Sequence, residues 1–192
     1  NERLPALRQA IDEQNPLTIH IHAGRVFAGL GFLPLLQQGT AVSSSRSMMQ
    51  LVQCDPAYAR RLLDIEGASN LSSIDVLSAL DIFTALSELD PHQDYATLAE
   101  YMVGKARWMA GNGYHREAVH TTWLHSGNRA AGTEQAGTPD AVEQARALST
   151  QWLSAVGWVG GHALRERISA LEAIWAESTT KNIHEMSVSP TL

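Results

Sequence analysis

Residues 55–91 read DPAYARRLLDIEGASNLSSIDVLSALDIFTALSELDP, and their punctuation decides the fold class. Asp55-Pro56 supplies a helix N-cap followed by proline at the first helical position, where its missing N–H costs nothing. Tyr58, Leu62, Leu63 and Ile65 follow at helical spacing, and Gly67 stops that run. Ser72-Ser73-Ile74-Asp75 opens a second helix, with apolar positions at Val76, Leu77, Leu80, Phe83, Leu86 and Leu89. Asp90-Pro91 repeats the cap-plus-proline signal. It predicts a third helix through Leu98, Met102, Ala106 and Met109 to the stop at Gly111-Asn112-Gly113. Helix follows helix, with only turns between.

The same signals extend in both directions. Pro5 to Gln14 reads as a short opening helix, with Leu7 and Ile11 on one face. Leu17-Thr18-Ile19-His20-Ile21-His22 is the one clear period-two alternation; a single strand makes no sheet, so an extended entry into the next helix is expected. Residues 24–37 read as a helix broken near Gly31 and Pro34, and a serine-rich start at Ser43–Ser45 leads into Met48, Met49, Leu51 and Val52. Tyr114 to Leu124 is a further helix. Ser126 to Gly137, with three glycines and almost nothing apolar, reads as an exposed, mobile loop. Thr138-Pro139-Asp140 caps a helix facing inward through Val142, Ala145, Leu148, Trp152, Val156 and Val159. Gly160-Gly161 turns the chain into a last helix striped by Leu164, Ile168, Leu171 and Trp175, with a fraying polar tail from Ser187. The expected fold is all-α, an array or bundle of about eight helices in antiparallel hairpins. One domain spans 1–192, with a sub-division into 1–126 and 138–186 across the 126–137 loop.

Composition narrows the function classes. The 192 residues are 44% hydrophobic and 18% charged, ordinary for a globular chain with a real core. Fourteen Lys+Arg against twenty Asp+Glu, with no basic run, argue against a nucleic-acid partner. The longest nearly apolar run, Val26 to Leu36, is short of the roughly 20 residues of a bilayer span. Asn1 is neither an initiator Met nor the start of a signal peptide, so a trimmed or processed N-terminus and a cytoplasmic location are the expectations. Cys54, the single cysteine, excludes an internal disulfide and reads as buried and structural.

Two helix ends share a phrase 35 residues apart: Leu51-Val52-Gln53-Cys54-Asp55-Pro56 and Leu86-Ser87-Glu88-Leu89-Asp90-Pro91. Gly67, Ala79, Phe83 and Pro91 match the four spacings of the tetratricopeptide pattern, and Gly113-Tyr114-His115-Arg116-Glu117-Ala118 resembles its inter-helix turn, with Ala106 at the small position. The chain resembles that helical-repeat family over residues 30 to 125. Leu63, Glu66 and Asn70 stand where the repeat has tryptophan, leucine and tyrosine. The resemblance implies stacked hairpins and binding of a protein or peptide in a groove.

Catalytic and metal patterns are weighed and set aside. Glu117-x-x-His120 has di-iron bundle geometry but no second copy, and His115, His120 and His125 cannot converge from one helix. His20 and His22 lack a third ligand, and Gly127–Thr133 lacks the lysine of a phosphate loop. No nucleophile elbow is present. Asn70-Leu71-Ser72 is an acceptor triplet meaningful only in a secreted eukaryotic setting. No catalytic, cofactor or metal residue is assigned. The expected function is a non-catalytic protein–protein interaction module (adaptor, chaperone or assembly subunit) with a patch at Tyr114, His115, Glu117, His120 and Trp123. Its partner is another protein or peptide, or further copies of itself. The competing expectation is an all-α enzyme, or a small-ligand or metal-binding protein, using the 114–125 helix with the 126–137 loop as a lid.

Overall fold

A computed structural model describes residues 2–43, 46–92 and 96–187. It is all-α. The described elements are α1 (Arg3–Asp12), α2 (Pro16–Gln37), α3 (Ser47–Cys54), α4 (Pro56–Glu66), a 3-10 turn (Ala68–Asn70), α5 (Ser73–Leu89), α6 (Ala96–Gly111), α7 (His115–Ala136), α8 (Pro139–Ala155) and α9 (Gly161–Ser187). Ser44 and Ser45 of the serine-rich start, and the tail beyond Ser187, lie outside the described residues.

Most caps sit where the residue types place them. The Asp55 and Thr138 side chains accept from the Tyr58 and Ala141 backbone N–H groups, each ahead of a proline at the first helical position. Ser72 and Asp75 form a reciprocal capping box for α5. Gly67 ends α4 at φ +87°, and a Cβ there would also collide with the Val156 carbonyl, so conformation and space both demand glycine.

Several expectations are corrected. Leu17–His22 is helical, not extended: Asn15 caps α2, and the alternation merely samples a helix buried almost all round. Next, α2 does not break at Gly31 and Pro34 but runs on to Gln37. Proline at 34 has no N–H for the Leu30 carbonyl four residues back, and the Tyr58 hydroxyl takes that acceptor at 3.0 Å. Asp90-Pro91 does not open α6, which begins at Ala96; Pro91 and His92 are non-helical, and residues 93–95 lie outside the described set. Asp90 instead folds its carboxylate back onto the His92 N–H (3.0 Å) and Arg129 (2.9 Å).

The largest correction concerns 126–137. This segment is the second half of α7, with Ser126, Gly127, Ala130, Ala131 and Thr133 buried. Its glycines are there for helix approach. A Cβ on Gly127 would lie 3.2 Å from the His20 carbonyl, and one on Gly132 would strike the Asp90 carboxylate. Only Gly137 ends the helix. No loop therefore joins 1–126 to 138–186.

α2 and α7 are the central pair, and α7 also contacts α3, α4, α5, α6 and α8. Their crossing is close because Gly24 faces the Trp123 backbone, where a Cβ would sit 2.5 Å from the carbonyl oxygen. Around it Phe27, Trp123, Trp152 and Trp158 form an edge-to-face cluster with centroids 5.1–5.4 Å apart. α2 is long and apolar enough to cross a membrane by length and composition, and 67% of its most apolar window is covered by the rest of the fold. The short α6–α7 turn makes an antiparallel hairpin. Between Gly67 and Asp90 stand a 3-10 turn and one helix, α5. Cys54 is exposed at the end of α3, not buried.

Candidate functional site

The α2–α7 crossing carries several of the buried polar groups among the described residues. His20 has zero exposure, yet both ring nitrogens are satisfied: Nδ1 meets Ser149 Oγ at 3.0 Å and Nε2 meets Ser126 Oγ at 2.8 Å. The Ser126 hydroxyl already donates to the Thr122 carbonyl at 2.6 Å, so His20 must donate from Nε2 and accept at Nδ1 from Ser149. That fixes a neutral tautomer. Burial drives its pKa down to about 3, and Trp123 and Trp152 flank the ring.

Further along the same crossing, His120 Nδ1 lies 2.6 Å from Glu66 Oε1, both side chains wholly enclosed. Gly31 of α2 makes room for the imidazole; a Cβ there would come within 2.9 Å of His120 Cε1. Burial pushes the Glu66 carboxyl up, against the opposing pull of His120. The Glu66 carbonyl receives the Trp123 indole N–H at 3.1 Å, so one residue of α4 ties down two of α7. His125 stacks on Phe83, and burial, then Arg129 and His120, lower it to about 4. A carboxylate–imidazole pair is acid–base machinery when substrate can reach it. Here none of the described clefts is lined by Glu66, His20 or His120.

The surface offers something else. α6 buries Met102, Ala106 and Met109 as its spacing predicts, but Leu98 turns outward, correcting its place on the inner face. Leu98 (47% exposed), Tyr101 (58%) and Trp108 (55%) run along one exposed side, and Tyr114 stacks on Trp108 with centroids 6.2 Å apart. Beside this stripe, α5, α6 and α7 enclose a cleft of about 560 Å³ containing Glu88, Glu100, Arg107 and the Asp90–Arg129 pair. No match to this chain is found among protein families, curated proteins or solved structures. The geometry alone carries the functional reading.

The five residues expected to form a patch do not share a surface. Tyr114 is exposed and His115 and Glu117 are half-buried, but His120 and Trp123 have zero exposure. The reason is the crossing with α2, which turns that face of α7 inward. Glu117 and His120 gather no further ligands, and no group of three or more His, Cys, Asp or Glu able to hold a metal occurs among the described residues. The Gly127–Thr133 amides belong to the helix and cradle nothing. Sequence reasoning placed Leu98 on the inner face and assigned Tyr101 and Trp108 to no site. Their spacing of three and seven marks one helix face, but a core face has the same period.

Proposed function

We propose that this chain is a non-catalytic helical interaction module, an adaptor or assembly subunit, whose binding element is the outer face of α6. The exposed stripe of Leu98, Tyr101 and Trp108, extended by Tyr114, carries the reading. Large aromatic side chains left about half in water are costly alone and are the residue types that dominate binding interfaces. Spacing of three and seven residues presents them as the seam another helix packs against. A photo-crosslinking residue at position 101 tests this, with one at position 143 on α8 as control. Adducts form at 101 and not at 143, and Trp108→Glu abolishes them. Equal crosslinking at both positions, or none at 101, overturns the reading.

The 560 Å³ cleft supports a second reading, a small-ligand site between α5, α6 and α7. Native mass spectrometry of the purified chain distinguishes it: a stoichiometric bound small molecule, lost on Arg129→Ala, favours the cleft over the stripe.

A further inference from the structure

We propose that the cleft between α1, α2 and α9 binds a small carboxylate with an apolar tail, of the medium-chain fatty acid kind. This place is separate from the α6 face and from the cleft between α5, α6 and α7, and the proposal stands apart from both readings above. The cleft encloses about 340 Å³, within the range of small-molecule sites. Buried Leu4 and Val26 and half-buried Leu33 and Trp175 give it apolar walls. Arg3 and Arg25 line the same space. Elsewhere Arg8, Arg61, Arg107, Arg116, Arg129 and Arg146 each meet a carboxylate of this chain. Arg3 and Arg25 meet none among the described residues, and Glu2 on the same rim pairs with neither. One Arg3 N–H donates to the Arg25 carbonyl at 3.1 Å, which holds that guanidinium against α2. A guanidinium offers five donors in a fork that fits a carboxylate.

The two chemistries together select the ligand. In a chain of net charge −6, two arginines without a carboxylate beside apolar walls call for an anion that carries its own apolar body. A bare inorganic anion would leave the walls in water, and a hydrocarbon would leave the guanidiniums without a partner. Gly29 adds an independent observation. Arg25, Gly29 and Leu33 lie on one stripe of α2 at four-residue spacing, all three lining the cleft. Gly29 stands inside a helix, where glycine is disfavoured. The fold does not require it there. A Cβ would reach only the far end of the Arg3 side chain, at 3.6 Å, whereas one at Gly24 would strike the Trp123 backbone. What the missing side chain keeps open is the cleft itself, beside the Arg3 guanidinium.

Calorimetric titration of the full chain with octanoate tests the proposal. Octanoate binds saturably, one per chain. Octanol, which keeps the tail without the charge, and acetate, which keeps the charge without the tail, each bind at least about tenfold more weakly. Arg3→Met and Arg25→Met keep the apolar stems and each weaken octanoate by about fivefold or more. Gly29→Leu fills the cleft and abolishes binding, while the helical circular dichroism is unchanged and the melting temperature holds or rises. If Gly29→Leu melts early, the two arginine variants and the octanol comparison decide in its place. No saturable binding of octanoate up to millimolar concentration overturns the proposal. So does equal binding of octanol, which would mean apolar adsorption alone. Octanoate binding indifferent to a folded Gly29→Leu, or to both arginine variants, places the ligand elsewhere and overturns it too.

Discussion

His20 is an imidazole held neutral by geometry, and that makes it an acid sensor for the fold. Its pKa in the folded chain is about 3, below the ordinary 6.5 that it regains on unfolding. Below pH 6.5 the unfolded chain takes up a proton that the folded chain refuses. Stability is therefore complete above that pH and falls as the pH drops, by about 1.4 kcal/mol per pH unit for each such group. His125, lowered to about 4, acts with the same sign. Glu66, raised by burial, acts with the opposite sign above the ordinary carboxyl range, and its effect cancels when two variants are compared. His20→Gln keeps polar atoms for Ser126 and Ser149 but does not titrate. Urea unfolding between pH 6 and pH 4 should show its stability falling less steeply than the parent's, by about that slope. Equal slopes would show that His20 is protonated in the native state. Glu66 is the companion case. Glu66→Ala leaves the buried His120 Nδ1 without its partner and costs about 1–3 kcal/mol, whereas Glu66→Gln, which still offers His120 an acceptor, costs distinctly less; the urea midpoints separate them. None of this was legible in the sequence. Caps such as Asp55 and Ser72 are local chemistry and could be read from neighbours, but His120 meets Glu66 across 54 positions. Its partner exists only once α4 and α7 touch.

Among the elements, α2 shows why glycine misleads. The same residue type is a turn signal in a chain and a contact surface in a packed helix. Gly24 and Gly29 stand in one helix, yet a Cβ at Gly24 would lie 2.5 Å from the Trp123 carbonyl oxygen, and one at Gly29 only 3.6 Å from the end of the Arg3 side chain. Gly24→Ala must push α2 off α7 and should lose about 1–3 kcal/mol. Gly29→Ala meets nothing rigid and should gain up to about 1 kcal/mol from helix propensity. Thermal unfolding of the two variants decides the matter, and equal effects would place the α2–α7 crossing elsewhere. Pro34 makes the same point about its own residue type. It reads as a break because a helix interior loses a hydrogen bond there, but Tyr58 from α4 supplies the donor. Burial also pushes the Tyr58 hydroxyl up to about 12, so it stays a donor well above the ordinary phenol range. Tyr58→Phe leaves the Leu30 carbonyl unsatisfied and should cost about 1–2 kcal/mol, read from the same melting curves.

At the scale of the molecule, α7 decides how many parts the chain has. A glycine-rich loop at 126–137 would divide it into two units able to open separately; a buried half-helix there makes division impossible without unfolding the core. Helix periodicity and the caps at Asp55, Ser72 and Thr138 were legible, since they depend on spacing along the chain. The continuity of α7 was not, because its inner face there is built from Gly127, Ala130, Ala131 and Thr133, residues too small and mixed to register as an apolar stripe. Small residues are what a helix needs where Leu17, Ile21 and Leu86 crowd against it. The two readings differ sharply in hydrogen exchange. As a loop, the amides of 126–134 would exchange within seconds of dilution into heavy water. As the spine that touches α2, α5, α6 and α8, they open only with the whole fold. Their protection should then match that of α2 peptides, on the order of 10⁴-fold or more for a domain of ordinary stability. Peptide-resolved exchange mass spectrometry reads this directly. Rapid exchange confined to 126–134 would restore two separable units and remove the central helix on which the positions of α5 and α6 depend.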